Sequence, residues 1–166
     1  MTRTTAREIA IQLCFAASAA EELPEDLFDS FFDKDYYATL SQVDELYAEY
    51  PDPRQLEYIR RLVGLLGYYR LDIDKAIERN SHGWKLNRIS KTALAVLRCA
   101  ICEILYMDDI PNSAAINEAI ELDKGYDDAD TVSFVNGVLG GFMRSEVNAA
   151  PETASAEEAQ AETVTE

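Results

Sequence analysis

The chain has 166 residues, 48% of them hydrophobic, enough for one domain with a packed core. Its 31 acids against 15 bases give a formal net charge of −16. Such a surface repels phosphates at long range, which excludes general polyanion binding and confines any RNA contact to a local, partner-assisted patch. No apolar run approaches the roughly 18 residues of a membrane span, and Arg7 and Glu8 interrupt any signal-peptide pattern. Cys14, Cys99 and Cys102 sit in apolar settings and fit free thiols in a reducing cytoplasm.

Residues 3–19 predict a first helix. Ala6, Ile9, Ala10, Leu13, Ala16 and Ala17 share one face, and Thr5 and Glu8 have capping-box spacing. Arg3 and Arg7 stand at its start, where cations oppose the helix dipole, so they read as ligand-facing. Residues 20–52 hold eleven acids, one base (Lys34) and seven interleaved aromatics. The spacing matches no calcium loop, and the segment reads as a solvated acidic face with short helices near 27–32 and 39–50.

Residues 54–80 carry a long helical stripe from Leu56 to Ile77, with a bend expected at 71–74. Residues 80–83 break it. His82 has no ligand or triad pattern around it. Residues 84–86 are expected to re-enter the core. Residues 89–106 are apolar on nearly every side, which predicts a central helix. Arg98 within it needs a carboxylate from another helix, with Glu118 and Glu121 as the leading candidates. Cys99-x-x-Cys102 reads as packed core thiols, since no second pair accompanies it.

A turn at 108–111 leads to a helix with Ile116, Ala119 and Ile120 on its apolar stripe, stopped by Gly125. A polar loop, 126–130, precedes a last helix striped by Val132, Val135, Val138, Leu139 and Phe142. Asn117 and Asn136 are expected to be buried and hydrogen-bonded. Ser133, Gly137, Gly140 and Gly141 are expected to meet a neighbouring helix closely, offsetting the helix cost of glycine. Residues 147–166 contain five acids and no base and read as an acidic disordered tail.

No strand pattern survives. The expected fold is all-α, about seven helices in two packed subdomains, 1–80 and 84–146, of a single domain. No nucleophile–base pair, metal-ligand cluster or phosphate-cradling glycine loop is present, so neither an enzyme nor a cofactor is expected.

AINEAIEL followed about a dozen residues later by FVNGVL resembles the NusB family of transcription antitermination factors. Upstream, WKLNRISKTALAVLRCAICEIL and AREIAIQ are similar to the same family. The resemblance covers residues 3–19 and 84–142, and 54–80 more loosely. It implies two small helical bundles sharing an interface. It also implies binding to a boxA-type element of ribosomal RNA leader, jointly with the small-subunit ribosomal protein NusE, in an RNA polymerase antitermination complex. The implied RNA contacts are Arg3, Arg7, Lys124, Tyr126 and Asp130, with Lys124 meeting a phosphate and Tyr126 stacking on a base. The implied partner contacts are Gln12, Phe15, Ala93 and Leu94. The alternative is a protein-interaction scaffold of the same fold without significant RNA binding, which the net charge favours.

Overall fold

A computed structural model describes residues 1–149. The tail expected at 147–166 therefore lies, from residue 150 onward, outside the described residues. Seven α-helices follow in order: α1 (Arg3–Ala20), α2 (Pro24–Phe31), α3 (Lys34–Leu40), α4 (Pro53–Asn80), α5 (Lys91–Tyr106), α6 (Asn112–Lys124) and α7 (Ala129–Phe142). Short 3-10 turns at Glu45–Tyr47 and Leu86–Arg88 and a π turn at Met143–Val147 complete the described chain.

Local chemistry sets the helix ends. Thr2, not Thr5, caps α1: its Oγ1 accepts from the Thr5 amide at 3.1 Å, which leaves Glu8 free for another partner. α4 opens with a reciprocal box, Asp52 accepting from the Gln55 amide at 2.9 Å and Gln55 from the Asp52 amide at 3.0 Å. Its bend falls at Tyr69 (φ −102°, ψ 15°), slightly before the expected place. There the Tyr69 ring stacks on Tyr106 of α5, 3.8 Å between centroids, so packing and not the local aspartates locates the kink. The helix expected at 39–50 is instead α3 and the 3-10 turn, which wrap an aromatic cluster of Phe31, Phe32, Tyr37, Tyr47 and Tyr50.

α5 is the axis of the molecule. It packs against α1, α4, α6 and α7, and Leu97, Ile101 and Cys102 on it are fully buried. Burying each large aliphatic side chain there contributes about 1.5–3 kcal/mol. One continuous core joins residues from both halves of the chain. Cys14 of α1 lies 3.9 Å from Cys99 of α5, sulfur to sulfur, and all three cysteines are free and buried. The hydrogen bond with Cys14 and burial push the Cys99 thiol up, and burial raises Cys102. Residues 143–147 fold back on the end of α4, where Arg79 donates to Glu146 at 3.1 Å, Ser145 donates to Asn80 at 3.0 Å and Val147 packs against the core.

Four expectations need correction. Arg98 pairs with Asp74 of α4, not with Glu118 or Glu121, which are taken by Arg7 and Lys124. Trp84 stays outside the core at 56% exposure, because only Leu86 of that segment packs inward. Asn117 and Asn136 are exposed, on the outer faces of α6 and α7. The glycine row also splits. A Cβ on Gly141 would sit 3.3 Å from Asn80 Oδ1, a true close approach, whereas one on Gly137 would meet nothing within 4 Å. Gly137→Ala is therefore expected to stabilise the protein by about 0.5–1 kcal/mol, and Gly141→Ala not to. Urea unfolding of the two variants checks this contrast.

Candidate nucleic-acid interface

The start of α1 and the loop after α6 lie side by side. Thr4 Oγ1 donates to Glu118 of α6 at 2.9 Å, and the Tyr126 hydroxyl donates to Glu8 of α1. Gln12 lies beside the same hydroxyl. Burial, then the Glu8 hydrogen bond, push Tyr126 up to about 12, against an opposing hydrogen bond with Gln12. Tyr126 is nonetheless 41% exposed. Lys124 is exposed and paired with Glu121 at 2.7 Å, and Asp130 is exposed in the first turn of α7.

The two arginines of α1 part company. Arg3 is exposed and lies over the Tyr58 ring, 4.2 Å from its centroid. Arg7 is buried, and its Nε and Nη2 donate to the two oxygens of Glu103 at 2.9 and 3.1 Å. Tyr58 donates to the same carboxylate, and Glu118 stands 3.7 Å from Arg7 Nη1. Burial alone would lower the Arg7 pKa, but the Glu103 hydrogen bond and the surrounding charges outweigh it and raise it. Expected as a ligand contact, Arg7 is a core ion pair: position 7 is in helical register with the buried Ile11 and Cys14, whereas Arg3 stands in the open first turn of α1.

The positions expected to meet a protein partner divide likewise. Gln12, Phe15 and Leu94 are half-buried, while Ala93 is fully buried and out of a partner's reach. Cys14, Ser18, Lys91 and Ala95 help line a crevice where α1, α4 and α5 meet, and neither Phe15 nor Leu94 lines it.

A second exposed feature adjoins the loop. Trp84 and Phe134 pack with ring centroids 5.6 Å apart. With Arg88, Asp128, Asp130 and Thr131 they line an open recess of about 310 Å³. Lys85 and Arg88 are exposed alongside. Sequence reasoning misses this patch because it places Trp84 in the core. A signal is present all the same: between Glu78 and Glu103 the chain has five bases and no acid, in a protein that is acidic elsewhere. The loop itself carries Asp127, Asp128 and Asp130 against Lys124, so cationic help for a phosphate must come from the 85–91 side.

Among the described residues no group of three or more His, Cys, Asp or Glu side chains could hold a metal ion. No helix among them is long and apolar enough to cross a membrane. What the surface offers is stacking faces, cations and hydrogen-bonding groups set on a rigid helical frame, the equipment of an all-helical recognition protein.

The chain belongs to the NusB family, whose model matches residues 4–144. It is 38% identical to the transcription antitermination protein NusB of Clostridium novyi, over 87% of this chain and 100% of that protein. It is also 38% identical to that of Acetivibrio thermocellus, over 87% and 90%. Among solved structures, T. maritima NusB superposes with a TM-score of 0.70 at 29% identity, covering 86% of this chain and 90% of the other.

Proposed function

We propose that this chain is an antitermination factor that binds a boxA-type element of ribosomal RNA leader together with the ribosomal protein NusE, within an RNA polymerase antitermination complex. The observation that carries the RNA-binding part is the exposed Trp84, packed on the half-buried Phe134, beside Arg88 and the α6–α7 loop. Trp84 and Tyr126 can stack on unpaired bases, which suits single-stranded RNA better than a duplex. Arg3, Lys85, Arg88 and Lys124 are the exposed cations available for phosphates. On a molecule of −16 this set is small, so affinity for RNA alone is weak and a basic protein partner adds the missing charge. Phe15 of α1 and Leu94 of α5, both half-buried and so partly open to a partner, are the proposed partner contacts.

Titration of a boxA-type single-stranded RNA with and without the ribosomal protein tests this. Trp84→Ala is expected to lose about 1–3 kcal/mol of binding, with stability unchanged because the ring is largely exposed. Arg88→Ala should also flatten the plot of log affinity against log salt by about 0.7. Full retention of affinity in both variants would move the RNA site away from Trp84 and Arg88, whereas no specific RNA binding by the parent chain, with or without the ribosomal protein, would favour the protein-only scaffold, the reading supported by the acids of the loop.

A further inference from the structure

Asp123 is fully buried in the last turn of α6, and no N–H or O–H group of the described residues donates to either of its carboxylate oxygens. Its backbone carbonyl meanwhile accepts the amides of Tyr126 at 3.0 Å and Asp127 at 2.8 Å, which close the α6–α7 turn. A buried carboxylate left unpaired is costly, and here it would also face the negative end of a helix dipole. The charged groups around it do not help. Asp127 and Asp128 both act on it with the same sign. From α5, the Ser90 hydroxyl faces Asp127 at 3.3 Å and supplies no charge. Lys124 is engaged by Glu121, Arg7 on α1 by Glu103, and Lys91 of α5 lines a crevice against α1 and α4. On α7, Asp130 adds a further acid in the first turn.

We propose that Asp123 keeps the α6–α7 turn closed as a neutral carboxylic acid that donates its proton to Asp127, and that losing this proton opens the turn. The donated O–H satisfies Asp123 and leaves one negative charge on the pair, not two. Burial first, then the hydrogen bond with Asp127 and the charges of Asp127 and Asp128, push Asp123 up to about 8. In the unfolded chain the same group ionises near about 3.9. The folded state thus holds an extra proton between roughly pH 4 and pH 8, and stability falls as pH rises through that window and levels off above it. Tyr126, held at about 12, stays neutral throughout the upper part of the window, so the turn responds to Asp123. Lys124 and Tyr126 ride on this turn. Any effect on RNA rests on the function proposed above, whereas the turn itself can be read in the free protein.

The test is carboxyl-carbon NMR of the aspartate-labelled full chain from about pH 5 to 10, with amide exchange of Tyr126 and Asp127 measured in parallel. One carboxyl is expected to titrate near pH 8 and to vanish in Asp123→Asn, whose amide donates at every pH. Protection of the two amides should drop at least about tenfold from pH 7 to 9 in the parent chain and stay level in Asp123→Asn. Asp127→Asn, which removes the neighbouring charge, should lower the Asp123 midpoint by about one unit or more. A midpoint at or below about pH 5, or an Asp123→Asn variant that loses protection as the parent does, overturns the proposal.

Discussion

Arg7→Met is expected to destabilise the protein by about 3–5 kcal/mol, the largest loss expected from replacing any single charged residue of this chain. Arg7 and Glu103 are both buried, and the guanidinium supplies two of the three hydrogen bonds that the Glu103 carboxylate receives. Without it, Glu103 keeps only the Tyr58 hydroxyl and becomes an uncompensated charge against α5, the central helix. Methionine fills most of the volume, so the loss is electrostatic and not a cavity effect. One control isolates it. The double variant Arg7→Met with Glu103→Met should recover most of the loss, since replacing a whole buried pair by apolar groups is often neutral. Urea midpoints at constant m-value measure all of this. RNA binding lost in an Arg7 variant would then report on folding, while Arg3→Ala leaves the core intact and tests a surface contact.

The second large effect is expected at Arg98. Its Nε and Nη2 donate to the two oxygens of Asp74 at 2.8 and 3.0 Å, tying the second half of α4 to α5 just beyond the kink at Tyr69. Arg98 is buried and Asp74 is partly open to water, so water repairs some of the damage when one partner goes. Arg98→Met should cost about 2–3 kcal/mol, and Arg98→Lys should recover less than half, because an ammonium cannot reproduce the two-pronged geometry. Amide exchange should show the loss concentrated after residue 70, where α4 depends on this pair. A loss spread evenly along α4 would argue against the link.

Much of this architecture is legible in the chain, and the places where legibility ends have physical reasons. The helix count, the central α5, the turn before α6 and the stop at Gly125 follow from apolar spacing and capping chemistry, which are local. Partner choice among charges is not local. The need of Arg98 for a carboxylate can be read from its apolar neighbours, but Asp74 is brought to it by the crossing of α4 and α5, and Glu118 is brought to Arg7 where the start of α1 meets α6. Trp84 and Asn136 show a second limit. A tryptophan reads as interior on average preference, and a mid-helix asparagine because its amide competes for backbone groups unless partnered, yet both face outward. Of the residues implied as RNA contacts, Arg3, Lys124, Tyr126 and Asp130 are exposed and Arg7 is not. Helical phase places residue 7 between the apolar, buried Ile11 and Cys14 of α1, the one local signal of its inward turn.

The three buried thiols turn the protein into its own unfolding gauge. With their pKa values raised, Cys99 and Cys102 offer almost no thiolate to an alkylating reagent while the helices are closed. Labelling must then wait for an opening. Cys14 reads the lifting of α1, and the other two read exposure of α5. Equal labelling rates at all three would mean that the helices part together, and a faster Cys14 would mean that α1 peels away first. In the Arg7→Met chain every rate tied to global opening should rise by about two to four orders of magnitude, the kinetic image of the lost ion pair.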